Sequence, residues 1–458
     1  MIRLFNVYYP ARTILLLVGE ILVVGASFLL AALVQFGRDS YLVLSYEQGT
    51  YKIIAITAVV VLCSYYLDLY GPRLQASQGE TWFRLLLVLG TSSLLLAAVG
   101  YCFPSLMLGR HADVFGLVIL TVGLLCWRGG YAWLLQQPYL LERVYVLGSG
   151  DRAQRLVEAI RSRRDLGMEV VGWAGALGNG GSDRDTLAAT VRGLMDRDRR
   201  VDRVIVAVID RRNTLPVREL LDLRLSAIKI EDASSLLEKI SGKIEVESLH
   251  PSTLIYSEGF RLGTGFVLAR RCVSFIVALT LLAICAPFLP LVVLLVKLSS
   301  PGPVLFRQKR VGRRGDLFTL YKFRTMRQDA EVNSGAVWAG KNDPRVTRVG
   351  KFLRKARIDE IPQLWNVLVG NMGFVGPRPE RPEFVTWLME KIPYYNLRHI
   401  IRPGLTGWAQ VRYGYGASLE ETQEKLQYDL YYIKHMSLSL DLLIMFETMK
   451  TVLLRRGQ

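Results

Sequence analysis

Histidine and cysteine are scarce in this 458-residue chain, with four of the first and five of the second. The cysteines (Cys63, Cys102, Cys126, Cys272 and Cys285) all lie in apolar stretches, and none belongs to a Cys-x-x-Cys pair. They read as small hydrophobes, so neither a zinc site nor a disulfide framework is indicated. The histidines are scattered, which argues against a His-based metal centre. Acidic residues are also in short supply: 40 Asp and Glu against 57 Lys and Arg leave a net charge of +17. A surplus of that sign favours anionic partners such as phospholipid headgroups, nucleotides, diphosphates or nucleic acid. No helix-turn-helix or RNA-binding signature accompanies the charge, so nucleic acid is not an expected partner. Part of the excess follows the positive-inside rule, because Lys and Arg cluster around the hydrophobic segments.

Apolar residues are plentiful, at 51% of the chain. That is high for a water-soluble protein and low for a pure transporter, so a membrane part joined to soluble parts is expected. Residues 1–140 hold four hydrophobic segments, at about 13–36, 51–70, 82–103 and 112–135. Each is near the roughly 20 residues that cross a bilayer as a helix. The first is too long for a signal peptide and lacks a cleavage pattern. Lys52 and Arg128 fall near segment ends, where long side chains can snorkel, and Glu20 sits close enough to an end for an interfacial position. Arg3 and Arg12 before the first segment, Arg73 and Arg84 between the second and third, and a basic stretch after the fourth place the amino terminus and everything after residue 140 in the cytoplasm.

Residues 141–260 read as an α/β domain. Val144 to Leu147 forms a short apolar strand, a Gly-x-Gly turn follows at Gly148 and Gly150, and an amphipathic helix comes next. A second buried strand begins at Val201, and runs of β-branched residues bounded by charge suit a parallel sheet covered on both faces. Gly148, Gly150 and Ala153 match a dinucleotide-binding turn loosely. No clear acidic ribose ligand appears at the end of a second strand in MEVVGWAGALGNGG, and no Tyr-x-x-x-Lys pair appears in 151–260, so a scaffold or regulatory domain without cofactor suits the stretch better than an NAD-dependent oxidoreductase.

A fifth hydrophobic stretch, Cys272 to Val296, is interrupted by Pro287 and Pro290 and flanked by Arg270, Arg271 and Lys297. Proline removes a helix hydrogen bond and crowds the preceding turn. Basic anchors on both sides then fit a bent helix that enters and leaves by one face, which keeps the following residues beside cytoplasmic nucleotides. The competing arrangement is a kinked full span.

From Pro303 onward the chain is basic and punctuated by glycine. PVLFRQKRVGRRGDLFTLYKFRTM carries Arg307, Lys309, Arg310, Arg313, Arg314, Lys322 and Arg324 against one acid, Asp316. Diphosphate or lipid phosphate is the natural counter-charge, with a membrane-binding patch as the alternative. Val349 to Ala356 has helical spacing, Asp359 and Glu360 follow, and Pro362 is placed to open the helix PQLWNVLV. The two carboxylates thus sit at a helix start beside Arg354, Lys355 and Arg357. Phosphoryl transfer needs a nucleophile, a magnesium ion and cations that absorb charge, and an Asp-Glu pair ringed by Arg and Lys has the groups for each role. An acidic helix start on its own is often only a cap. FVGPRPERPEF sets Arg378 between two prolines, and IRPGLTGWAQV repeats the device with Arg402, as in a rigid binding loop. A membrane scaffold without enzymatic activity would leave the dyad and its arginines without a role.

Together LFRQKRVG, YKFRTM, RIDEIPQLWNVLVGNMGFVGPRP, RPGLTGWAQV and YDLYYIKHMSLSLDLLIMFETMK resemble the bacterial sugar transferases, the polyprenyl-phosphate glycosyl-1-phosphate transferases, over Arg270 to Leu454. The resemblance implies an α-helical transmembrane bundle at 1–140, a Rossmann-like α/β domain at 141–260, and a mostly α-helical monotopic catalytic domain with a re-entrant membrane helix at 265–458. It implies a UDP-sugar donor, undecaprenyl phosphate as acceptor, Mg2+ beside Asp359, and Asp359 as the nucleophile assisted by Glu360. UMP would be released as exopolysaccharide, capsule or O-antigen assembly begins. It places Arg354 and Arg378 as phosphate-binding groups, to which the basic run and the Pro-flanked loop add Lys322, Arg324 and Arg402 as phosphate- or nucleotide-binding candidates, and it puts the enzyme in the bacterial inner membrane with its catalytic domain on the cytoplasmic face. A homodimer is compatible with long members of the family. Two departures stand out. The family's Ser-Pro helix break reads Ala286-Pro287 here, and RYGYGAS after Gln410 differs from the commonest form.

Overall fold

Each of the four apolar runs near the amino terminus becomes one long helix: α1 (Ala11–Phe36), α2 (Gly49–Tyr66), α3 (Gln78–Cys102) and α4 (Arg110–Leu135). At about 1.5 Å per residue all four are long enough to cross a bilayer, and all are apolar enough. The computed structural model describes residues 1–71, 78–173, 184–195, 201–208, 214–246, 249, 259, 263–328, 343–414 and 418–454. Two compact units divide it, Met1–Arg3 with Tyr8–Leu236 and Leu4–Val7 with Leu237–Gln458.

In the first unit α1 packs on α4 and α2, and α2 packs on α3. Phe28, Val60, Val88, Leu120 and Leu124 form the interior. Small residues allow the close approach that packing in lipid requires: a Cβ at Gly19 would lie 1.9 Å from the Trp127 ring, and one at Gly116 would lie 2.6 Å from Phe28. Leu22, Val34, Leu94 and Val118 point outward with most of their surface free. A helix apolar on both faces is stable only where its outer face meets hydrocarbon, so the chain is a membrane protein.

One expectation for this bundle is corrected. Glu20 and Arg128 are buried against each other, so Arg128 does not snorkel. They are 2% and 7% exposed and pair at 2.5 Å, with Tyr70 donating to the same carboxylate at 2.5 Å. The two charges lie 108 residues apart in the chain and meet only because α1 and α4 pack together.

After the bundle come β1 (Glu142–Leu147), α5 (Asp151–Ser162), β2 (Met168–Trp173), α6 (Arg184–Met195), β3 (Arg203–Val206), α7 (Val217–Leu225) and β4 (Lys229–Asp232). The strands form one parallel sheet in the order β2-β1-β3-β4. Val144, Val146, Val204 and Ile205 are wholly buried, as β-branched runs in a covered sheet should be. Gly148, at φ +135°, has Ala207 and Val208 backbone about 3 Å from where a Cβ would stand, so the turn requires glycine. Residues 174–181, the part of the ribose-ligand stretch that follows Trp173, lie outside the described ones.

The second unit carries the fifth apolar stretch. It folds as α8 (Thr264–Cys285), a 3₁₀ turn Ala286–Phe288 that contains Pro287, and α9 (Leu289–Ser299). Its two ends dock on neighbouring parts of one core. Arg271 donates to the carbonyls of Val367 and Leu368, while Val292 and Val296 pack with Phe323 and Leu353. Between them Ile276, Leu279, Ile284, Phe288 and Leu291 are exposed. A segment anchored at both ends on one unit, with an apolar middle left free, returns to the side it left, which is the re-entrant geometry expected.

The rest of this unit is α10 (Arg348–Lys355), α11 (Gln363–Val369), α12 (Pro382–Lys391), α13 (Leu419–Lys434) and α14 (Leu438–Leu453), with an antiparallel hairpin β5 (Leu305–Val311) and β6 (Leu317–Phe323). A short parallel pair, β7 (Gly373–Val375) and β8 (Gly404–Thr406), a 3₁₀ stretch at Tyr395–Ile400 and a five-residue helix at Trp408–Arg412 belong to it too. Ser418 and Glu421 form a reciprocal capping box at the start of α13. Trp408 stacks on Tyr431 of that helix.

Candidate active site

The site begins with how α10 is held. Thr347 caps the helix by accepting from the Gly350 amide at 2.9 Å, and Gly350 lies so close to strand β6's continuation that a Cβ would sit 2.0 Å from the Thr325 carbonyl oxygen. Arg354, one turn further on, donates from Nε to the Thr325 hydroxyl at 2.9 Å. The chain then reverses through Arg357, whose φ of +51° is a conformation that non-glycine residues rarely adopt. A 3₁₀ turn, Ile358–Glu360, and then α11 follow directly, with Pro362 at the helix boundary as its fixed φ favours. Inside α11 the fully buried Asn366 accepts from the Tyr321 amide at 3.2 Å and donates to the Thr319 carbonyl at 2.8 Å. That pair of bonds fixes the dyad's helix against the strand that carries Lys322.

Adjacent and both buried, Asp359 and Glu360 have opposite surroundings. Glu360 Oε1 accepts from Arg378 at 2.8 Å and from Lys322 at 3.3 Å, and Oε2 faces Arg357 at 3.5 Å. Burial alone would raise its pKa, but Arg378, Lys322 and Arg357 outweigh that and hold the carboxyl well below the usual range. Among the described residues no hydrogen bond or ion pair engages the Asp359 carboxylate. Burial raises its pKa, Lys322 opposes the rise, and the fixed charge of Glu360 adds to it. Burial also lowers the Lys322 pKa, against the pull of Glu360. One carboxylate is thus a locked anion, while its neighbour is more basic and uncommitted, a division of labour between paired acids that environment alone can set.

Arg378 is held by its backbone. The Pro377 carbonyl accepts from Gly404 N at 2.9 Å, the Pro379 carbonyl from Arg310 at 3.0 Å, and its own carbonyl from Arg398 at 2.9 Å. Arg398 in turn pairs with the buried Asp429 at 2.9 Å. Reading the sequence missed Arg398, Asp429 and Arg310 as supports, because their partners lie far along the chain. Arg357 was noted upstream of the dyad but not as a partner, although its i,i+3 spacing to Glu360 was available as a signal.

Of the residues expected to bind phosphate, Lys322, Arg354 and Arg378 surround the dyad. Arg324 turns away to the Ser300 carbonyl at the end of α9, at 2.6 Å. Arg402 is not among the charges that act on Asp359; it lines a separate cleft with Arg270, Arg271 and Arg313. The two Pro-flanked arginines read alike in sequence, yet parallel pairing of β7 with β8 separates their surroundings. Ala286 and Pro287 form the helix break. Among the described residues no three His, Cys, Asp or Glu side chains come together as a metal cage. The free Asp359 carboxylate still fits magnesium, which characteristically takes one or two carboxylates and completes its shell with water and substrate phosphate.

Residues 266–455 match the family model for the bacterial sugar transferases. The chain is 35% identical over 336 residues, covering 70% of both chains, to the UDP-glucose:undecaprenyl-phosphate glucose-1-phosphate transferase of Escherichia coli K12. It therefore belongs to the bacterial sugar transferase family and is a transferase by that membership. A second relative is the UDP-N-acetylgalactosamine-undecaprenyl-phosphate N-acetylgalactosaminephosphotransferase of Aeromonas hydrophila, 43% identical over 230 residues. That match covers 50% of this chain, which spans about half (53%) of the relative's length. A third, an exopolysaccharide production protein of Rhizobium leguminosarum, is 42% identical over 191 residues, 96% of its own length and 41% of this chain.

Proposed function

We propose that this chain is a polyprenyl-phosphate glycosyl-1-phosphate transferase that moves a sugar-1-phosphate from a UDP-sugar to undecaprenyl phosphate. The observation that carries the reading is the division of the dyad: Glu360 is neutralised by three cations, and Asp359 beside it is buried, basic and free. In the first step an Asp359 carboxylate oxygen bonds to the sugar-bearing phosphorus. The bond from that phosphorus to the bridging oxygen breaks, and UMP leaves with the electron pair. In the second, a phosphate oxygen of the acceptor bonds to the same phosphorus and displaces the carboxylate, giving a polyprenyl-diphosphate-sugar and restoring Asp359.

Lys322 and Arg354 lie where they can take up charge on the moving phosphoryl group, and Arg378, rigid between its prolines, does the same while it fixes Glu360. Mg2+ held by Asp359 and the donor's phosphates would supply Lewis-acid stabilisation of that charge. With the re-entrant helix as anchor, the catalytic unit would lie on the cytoplasmic face of the inner membrane, where nucleotide sugars are. The reaction would open exopolysaccharide, capsule or O-antigen assembly.

The test is nucleotide release by the full chain in lipid nanodiscs with Mg2+ and undecaprenyl phosphate. The donor panel should include UDP-glucose and UDP-N-acetylgalactosamine, because the relatives' names differ in the sugar. UMP from one donor, abolished in Asp359→Asn, is the expected result. Release of UDP would mean that a sugar rather than a sugar phosphate moves, and the mechanism would be wrong.

A further inference from the structure

Where α8 begins, a cleft is lined by Arg270, Arg271, Ser274, Arg313 and Arg402, with Val267 and Met372 among its apolar walls. Four guanidinium groups there face one carboxylate. Arg270 is committed to Asp441 through Nε at 2.7 Å, its Nη2 donates to both the Tyr432 hydroxyl and the Val375 carbonyl, and its Nη1 meets Met436 Sδ. Arg271 is held by the carbonyls of Val367 and Leu368, and Arg313 donates to the Ile400 carbonyl at 3.2 Å. Carbonyl bonds orient these two groups but leave their charge unneutralised. Arg402 has no hydrogen bond or ion pair among the described residues, and burial together with Arg271, Arg313 and Arg270 lowers its pKa. Ser274 Oγ accepts from the Phe374 amide at 3.2 Å, so its own proton can be donated into the cleft.

We propose that this cleft binds the phosphate headgroup of an anionic phospholipid, at a site separate from the Asp359–Glu360 dyad. Depth points to a lipid. Arg270, Arg271 and Ser274 lie on the membrane helix itself, and the next residues, Phe275, Ile276 and Leu279, are exposed apolar side chains. The guanidinium groups therefore stand at the level where headgroups meet hydrocarbon. A planar fork matches phosphate oxygens, and four of them repel the ammonium of a zwitterionic headgroup, which selects for net negative lipids. Between the headgroup and the acyl chains the lipid would bridge α8 to the loops that carry Arg313 and Arg402. The inference does not depend on the sugar chemistry above.

Native mass spectrometry of the full chain tests it, using detergent micelles that contain phosphatidylglycerol and phosphatidylcholine of matched chains in equal amounts. The wild type is expected to retain phosphatidylglycerol at least tenfold over phosphatidylcholine. Arg313→Gln with Arg402→Gln should abolish that preference, and Arg402→Lys should keep most of it. If the double variant does not fold, Arg402→Gln against Arg402→Lys makes the same comparison. Equal retention of the two lipids by the wild type, or an unchanged preference in the variants, overturns the proposal. Two competition arms identify the source of the phosphate. Displacement by equimolar undecaprenyl phosphate would make the cleft an acceptor site, and displacement by millimolar inorganic phosphate would make it a free-phosphate site. Either result overturns the phospholipid assignment, and resistance to both supports it.

Discussion

Arg378 reaches Glu360 Oε1 at 2.8 Å, the shortest of the three cationic contacts on that carboxylate. The contact binds the Pro-Arg-Pro segment to the turn that carries the dyad, so the charge of Glu360 is part of the site's architecture.

Glu360→Gln therefore has consequences different from those of Asp359→Asn. The amide keeps the shape but leaves Arg378, Lys322 and Arg357 to repel one another, which lets Arg378 drift from the phosphate it would stabilise. Loss of one preorganised electrostatic group costs about 10²–10³-fold in kcat, and a fall of that order is expected with residual turnover still measurable. Complete loss equal to that of Asp359→Asn would show that Glu360 is as indispensable as Asp359, and a purely architectural role for its charge would be wrong.

Asn366→Leu should damage the site without touching it. Asn366 is fully buried and bonds the Tyr321 amide and the Thr319 carbonyl. A buried polar group left without a partner costs about 1–3 kcal/mol, so thermal unfolding in detergent should show a clear fall in melting temperature. Lys322, next to Tyr321, would lose its register with Glu360, so kcat should fall alongside. A stable variant with full activity would show that α11 and β6 are aligned by something else.

How far these features could be read beforehand depends on how local their causes are. Apolar runs of about the bilayer's width declare the helices α1 to α4 by length alone, and Pro287 declares the break between α8 and α9. The dyad was legible because its two acids are adjacent and stand before a helix-opening proline. The Glu20–Arg128 pair was not, since 108 residues separate its members and each alone resembles an interfacial charge. The hairpin β5–β6 was hidden by its basic residues. Arg307 and Lys309 alternate with Gln308 and Arg310, and in LFTLYKF the period of two holds only for Phe318 and Leu320, since Lys322 stands where the next buried residue would fall and Phe323 is buried out of phase. Arg402 and Arg378 share a Pro-flanked signature, and their different surroundings follow from the parallel pairing of β7 with β8, which no local pattern announces.

Stability of the catalytic unit should fall on mild acidification. Burial lowers the His399 pKa to about 4, and the neighbouring Arg398 acts in the same sense. A folded pKa below the unfolded value means that the neutral ring is favoured in the folded state. Its contribution is complete above the unfolded pKa of about 6.5 and is lost as pH falls from there toward 4. Each pH unit between the two values is worth about 1.4 kcal/mol, so the loss by pH 4 is on the order of 1–3 kcal/mol. His399→Gln should flatten the melting temperature between pH 7 and 5. A slope that survives the substitution would assign it to other groups.

The membrane bundle makes the sharpest prediction, because its ion pair has no water to fall back on. Glu20 and Arg128 lie 2.5 Å apart at 2% and 7% exposure, and Arg128 also donates to the Leu69 carbonyl. Removing one partner of a buried pair strands the other charge and costs about 3–5 kcal/mol. Glu20→Gln should accordingly unfold at much lower denaturant in mixed micelles. Replacing both residues with apolar ones of similar volume, Glu20→Leu with Arg128→Met, removes the stranded charge and should recover most of the loss. If the double variant is no better than the single, the pair does more than neutralise itself. Tyr70, which bonds the same carboxylate at 2.5 Å, would then be the next residue to substitute, since its hydroxyl loses its carboxylate acceptor in both variants.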